Sequence, residues 1–395
     1  MKKNLPLYVL FACLLINLNV FGQLVKPTQS GSKYTITLAN INFEVDASYG
    51  ARISSVKVDN NEILYLAGYT GDYLWGSTFW YSPQSDWVWP PSTSLDRGEY
   101  IGGIDGNILS FDSYKDDLYN TGLRFMKTFY GDIADTSITI VYSIINNGTI
   151  AQSHSLWEIT RVPPAGGIAF FPRGKGGFEG NDSASYHFEN INNIEWYVYN
   201  GAGGFCHIDG SEGWSAWINS KKVLFVKKFQ DVPYGSNAPG EGEIQMYYGT
   251  TYLELENQGK YSNIEVNDTL QWTMKWYLRN IPTSIKVEKG DSTLVNYARN
   301  LGKYKKDSAL QIITKSDLPK LLVYPNPADT YLRVDGLKEK ARIKIFDLLG
   351  KLVLEKEINS SNNTVSLISL KSGFCTYQII TAKNKYSGKI LINKR

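Results

Sequence analysis

Apolar and polar positions alternate along most of the chain, which predicts strands rather than helices. YTITLANINFEVD (34–46), SITIVYSII (137–145), KKVLFVKKF (221–229), GEIQMYYG (242–249) and LQWTMKWYLR (270–279) follow the two-residue period of a strand with one covered face. Gly, Asn and Asp clusters separate them, as in DNNE (59–62), NNG (146–148) and NGAGG (200–204). One stretch carries a helical period. In STLVNYARNLGKYKK (292–306), Leu294, Tyr297, Ala298 and Leu301 fall on one face, with Ser292 as N-cap and Gly302 as stop. Residues 23 to about 290 therefore read as one large antiparallel β body closed by a single helix. A polar joint follows, and then a second unit of short strands spaced as in a small sandwich.

A chain of 395 residues fits two domains and a connector. The expected division is a signal peptide over 1–22, the β body over 23–304, a linker over 305–321 and a small Ig-like β-sandwich over 322–395. Lys2 and Lys3 precede the apolar run LPLYVLFACLLINLNVF, which is short for a spanning helix and is interrupted by Asn17 and Asn19. No later segment is apolar enough to cross a membrane. The mature protein is thus expected to be exported, without a transmembrane segment.

Charge and cysteine content narrow the function classes. Residues 23–320 hold 26 basic against 32 acidic side chains, and residues 321–395 hold 13 against 6. A mildly acidic body offers no footprint for nucleic acid. Cys13 falls in the signal peptide, which leaves Cys206 and Cys375 in different expected domains, and the histidines are His154, His187 and His207. These imply neither a disulfide framework nor a metal site, and no cofactor is expected. FPRGKGGFEG (171–180) has no Ser or Thr after its lysine, so it reads as a loop bordering a cleft rather than a P-loop. DSYKDD (112–117) and DGSEG (209–213) lack EF-hand spacing. Neither Gly-x-Ser-x-Gly nor His-Glu-x-x-His occurs.

The most informative stretch is WGSTFWYSPQSDWVWPP (75–91), with four tryptophans in fifteen residues. Pro83, Pro90 and Pro91 interrupt pairing, so it reads as an exposed loop in which Trp75, Trp80, Trp87 and Trp89 stand among Gln84 and Asp86. Flat rings beside hydrogen-bonding groups suit a sugar, whose C–H face stacks while its hydroxyls bond in-plane partners. The competing reading is an aromatic-rich core closed by a proline turn.

Two resemblances follow from particular motifs. YPNPADTYLRV, IKIFDLLGKLV, the SLKSG turn and the terminal KILINKR resemble the C-terminal sorting domain of the type IX secretion system of Bacteroidetes, over about residues 322–395. The resemblance implies the type IX machinery as partner and a product secreted or attached at the outer-membrane exterior. FCTYQI departs from it at Phe374 and Cys375. The Pro325–Asn326–Pro327 turn sets the path into the first strand, and Gly350 permits a tight hairpin.

The body resembles the galactose-mutarotase-like superfamily, and within it a secreted group, the DUF4380 type. FEVDASYGARISSVKVDNNEILY, the tryptophan stretch with DRGEY, SHSLWEITRVP and YLELENQGKYSNIEVNDTLQWTMKWYLR carry the likeness. It implies an all-β fold, a β-supersandwich of two large antiparallel sheets whose concave sheet binds sugar. It also implies a base and an acid for mutarotation: Glu256 takes the glutamate position and His154 the acid position, on strands expected to line one sheet. The second family histidine and the Asn-Arg pair are replaced here by FWYSPQSDW.

Expected sugar contacts are Arg52, Trp80, Gln84, Trp87, Trp89, Trp157 and Arg161, with Arg124 behind them. An arginine beside the sugar would either clamp a uronic carboxylate or pair with one of the chain's own acids. Three functional readings result. The first is a secreted carbohydrate-binding protein with an epimerase-like cleft. The second is an active carbohydrate enzyme, either a mutarotase-type isomerase or a polysaccharide lyase or hydrolase. The third is a non-catalytic cell-surface or adhesion protein.

Overall fold

Two large antiparallel sheets face each other across one apolar core, in a computed structural model that describes residues 24–66, 74–116, 118–119, 121–180, 187–201, 203–302, 321–324, 328–337, 339–347, 351–381, 385–392 and 394. The expected signal peptide, linker residues 305–320, the turn at Pro325–Asn326–Pro327 and Gly350 lie outside the described residues.

The first sheet has 12 strands. Its central run is Arg52–Val58, Ser77–Ser82, Gln152–Val162, Leu253–Gln258, Ile244–Tyr248 and Gly204–Ile208. The N-terminal strands Lys33–Leu38 and Ile41–Asp46 extend it on one side, at the stretch where alternation is clearest. The second sheet has 10 strands and is centred on Val223–Lys228, Thr269–Asn280, Ser137–Asn146 and Leu123–Asp132. Aromatic rings lock the inner faces together. Phe79 stacks on Tyr142 with centroids 4.5 Å apart, and Phe43 meets both Phe129 and Trp276. The all-β supersandwich is therefore present.

A charged pair sits inside this core. Lys227 bonds Glu158 across the two sheets, and Ser77 Oγ donates to the same carboxylate at 2.6 Å. Breaking such a pair strands a charge away from water, so it ties the sheets in one register.

The helix Ser292–Asn300 packs Leu294, Val295 and Ala298 on the outer face of the ten-stranded sheet, beside Trp214 and Tyr277. Its N-cap is Asp291, one residue before the expected Ser292, because the Asp291 carboxylate accepts from Leu294 N at 2.7 Å. The chain leaves the helix through Gly302 at φ +80. No helix among the described residues is long and apolar enough to cross a membrane.

The tail has its own core. A three-stranded sheet (Leu322–Tyr324, Tyr331–Asp335, Thr364–Ser366) and a four-stranded sheet (Leu352–Ile358, Ala341–Phe346, Gly373–Thr381, Lys385–Ile392) bury Leu332, Val334, Ile343, Val365, Ile379 and Ile390. Cys206 and Cys375 are both buried and free.

Candidate functional site

Strand register builds the site. Directly opposed residues share a face, and every second residue returns to it. One rung across the twelve-stranded sheet is Trp80–Trp157–Gln258. The next is Thr78–Ile159–Glu256–Gln245–His207, and the third is Arg161–Glu254–Tyr247–Phe205. The intervening residues Glu158, Leu255, Met246 and Cys206 point into the core, so these rungs form the outer face.

Glu256 is the centre of this face. Trp157 Nε1 donates to its Oε2 at 2.7 Å. Burial pushes its carboxyl well above the usual range, and Glu254 and Glu241 push the same way, against the Trp157 bond and the Arg161 charge. A buried carboxyl that keeps its proton can donate it to a sugar oxygen, and its conjugate base can take one back. Arg161 lies between Trp80 and Glu254. Its guanidinium is 5.6 Å from the Trp80 ring centre, and its Nε is 2.8 Å from Glu254 Oε1, a close ion pair rather than a linear hydrogen bond.

Two loops cover one side of the face. Glu241 joins them. Its Oε1 accepts from Gln84 N at 2.8 Å, and its Oε2 accepts from Gln245 Nε2 at 2.6 Å and Gln258 Nε2 at 3.1 Å. His207 is held alongside by its Nδ1, 2.9 Å from Gly240 O. The loop after Pro83 carries Trp87 and Trp89 onto Trp80, whose ring meets theirs and that of Trp157 edge to face. Trp80 Nε1 donates to Asp96 Oδ1 at 2.8 Å, and Asp96 faces Arg52 at 3.4 Å. Asp96 is placed by close backbone packing. Gly50, at φ +72, donates its N–H to Gly98 O at 2.7 Å, and a Cβ there would lie 1.9 Å from Asp96 O.

Several expectations need correction. The tryptophan stretch is not all loop: Ser77–Ser82 is a strand buried on both faces, and only the segment after it leaves the sheet. Trp80, Trp87 and Trp157 are buried, so they form a wall and not open platforms, while Trp89 is 44% exposed. Arg52 is fully buried, paired with Asp96 and packed on Tyr49 and Trp75, which gives the internal ion pair and not the uronate clamp. Its burial pulls the guanidinium down to about 10. Arg124 pairs with Asp112 at 2.8 Å. Gln84 is exposed at the loop edge.

His154 and Glu256 do not converge. Glu256 lies opposite Ile159, five residues along the strand from His154, on the order of 17 Å at the rise of an extended chain. The odd offset turns His154 to the other face, where its ring meets Tyr81 and its Nδ1 lies 3.5 Å from Asp86. Burial lowers it to about 4, so it holds no imidazolium proton at neutral pH.

The structure adds Glu241, Gln245, His207, Phe205 and Tyr247, which the sequence reading did not single out. Alternation in GEIQMYYG and YLELENQ already placed Gln245 with Tyr247 and Glu254 with Glu256 on common faces. What was missing was the register that sets the two strands side by side.

Residues 322–393 match a family described as the secretion system C-terminal sorting domain. The tail is a sorting domain. As such it addresses the chain to the type IX secretion machinery, and the protein is secreted or attached at the cell surface. No curated protein matches the chain. Among solved structures, the Slr1438 protein from Synechocystis sp. PCC 6803 is 11% identical, with 65% of this chain and 98% of that chain covered and a TM-score of 0.46. A galactose mutarotase-like protein from Lactobacillus casei is 11% identical, covering 62% and 99%, with a TM-score of 0.45. Another from Clostridium acetobutylicum is 10% identical, covering 65% and 98%, with a TM-score of 0.42.

Proposed function

We propose that the body, residues 23–304, is a carbohydrate-binding unit exported by its sorting domain, residues 322–395, and that sugar lies on the outer face of the twelve-stranded sheet. The observation that carries this reading is the mixture on one face: a buried carboxyl at Glu256, amides at Gln245 and Gln258, and the half-open rings of Tyr247 and Phe205. Rings stack on sugar C–H faces while carboxyl and amide groups bond hydroxyls. Trp89 extends the same chemistry on the loop side. Trp80, Trp87, Trp157 and Arg161 support it from beneath and are positioning residues in this reading.

Glycan-array binding by the full chain tests the proposal. Tyr247→Ala should weaken binding about tenfold while the thermal melt stays in place. Binding unchanged in that variant would remove the outer face from the reading.

A second reading has one observation in its favour. Glu256 is a carboxyl with a raised pKa beside a second carboxylate, which suits acid–base work on a sugar such as ring opening at the anomeric carbon. Anomer exchange followed by NMR, with Glu256→Gln beside the wild type, decides it: equal acceleration by both proteins ends the enzymatic reading.

A further inference from the structure

We infer that the site takes a neutral oligosaccharide chain, several sugar units long, in preference to a single sugar or an acidic polysaccharide. This deepens the carbohydrate reading above and rests on it.

Length comes from the ring pattern. Tyr65 and Tyr252 have centroids 5.2 Å apart, and Tyr252 and Tyr247 are 5.6 Å apart. Tyr247 lies directly opposite Phe205 on the neighbouring strand, and Phe205 is 5.8 Å from His207. Rings therefore follow one another past Glu254 and round to the Glu256 rung. With strands ~4.8 Å apart, this series extends over more than ~10 Å, beyond the reach of one six-membered sugar ring. Phe205 and Tyr247, at 46% and 38% exposure, are its most open members.

Charge sets the second half of the inference. Among the described side chains of the Glu256 and Arg161 rungs and the loop above them, the acids, bases and cations are Glu241, Glu254, Glu256, His207 and Arg161. Arg161 is the one guanidinium on these rungs, it has no exposed side-chain surface, and it is already paired with Glu254. Glu241 and Glu254 keep part of their surface open. A uronate entering here would meet carboxylates and find the guanidinium occupied, which costs binding. Neutral hydroxyls meet acceptors instead.

The test is calorimetric titration of the full chain with gluco-, manno-, galacto- and xylo-configured monosaccharides and their hexasaccharides, and with hexameric oligogalacturonate and alginate. The expected result is at least one neutral hexasaccharide bound more than tenfold tighter than its monosaccharide, with both acidic hexamers more than tenfold weaker than it. Tyr247→Ala and Phe205→Ala should each weaken hexasaccharide binding several-fold more than monosaccharide binding and so remove most of the gain with length; equal losses for both ligands would overturn the inference. Equal affinity for mono- and hexasaccharide overturns the inference while leaving carbohydrate binding intact. An acidic hexamer bound as tightly as the neutral one also overturns it. Loss of all sugar binding would take down the underlying reading and this one with it.

Discussion

The tryptophan side and the tyrosine–phenylalanine side of the same sheet face use aromatic rings in opposite ways. Trp80, Trp87 and Trp157 pack edge to face, give their N–H groups to Asp96, a backbone oxygen and Glu256, and lie almost wholly buried. Tyr247 and Phe205 sit on the Arg161 rung of the same face, two and three strands from the strand of Trp157, and stay open. Dense tryptophan in the sequence marked a structural wall. Apart from Trp89 at the loop edge, the rings of this face with open surface, Phe205 and Tyr247, come from ordinary alternating strands. Ring density here reports packing more than access.

The contrast can be broken at both ends. Trp80→Ala should give the largest loss, about 4 kcal/mol, because it empties a packed site and frees Asp96 from its N–H donor. Differential scanning calorimetry would read this as a fall in Tm on the order of 10 °C. A change near zero would make the wall dispensable.

Asp96→Ala comes next, at about 3 kcal/mol, since it removes the carboxylate that faces the buried Arg52 guanidinium. Urea titration measures it. If Asp96→Ala and Trp80→Ala act through one network, the double variant should lose less than the sum of the two.

On the open side, Glu243 gives a pH effect. Burial pushes its carboxyl up to about 8, and its Oε1 accepts from Val232 N at 2.7 Å below the loop that carries Glu241. The folded protein keeps a proton there that the unfolded chain releases above the ordinary carboxylate range. Its contribution is thus fully present at acid pH and is lost as pH rises towards 8. Glu243→Gln should flatten that decline and be the more stable protein at pH 8, by about 1–2 kcal/mol. Parallel melts between pH 5 and 8 would refute this if the two proteins keep the same slope.

Tyr247→Ala should have the smallest stability effect, within about 0.5 kcal/mol, because so much of the ring is already in water. In the reading proposed above, its effect falls on sugar binding instead. A variant that unfolds would place Tyr247 with the wall.

Much of the fold was legible from local pattern. The hairpin over 34–46, the strands near 137–145 and 270–279 and the helix from 292 all appear where alternation or a 3.6 period put them. Ser77–Ser82 was not legible because both its faces are covered, one by the second sheet and one by the loop, so no alternation marks it. The resemblance drew attention to Glu256, but neither it nor the alternation of its strand gave the residues that surround it. Phe205, Gln245 and Glu256 come from three neighbouring strands, but between 204–208 and 244–248 the chain passes through two strands of the other sheet, Trp214–Ile218 and Val223–Lys228. His154 was misplaced for the same reason, since its strand says nothing by itself about which partner residue it faces.

Gly50 limits how the molecule can be re-engineered. Any side chain there would strike the Asp96 carbonyl, so this turn cannot be randomised or lengthened as a surface loop ordinarily can. Libraries built to alter ligand choice would do better to vary the far end of the sheet, at positions 205 and 247, and leave this anchor untouched.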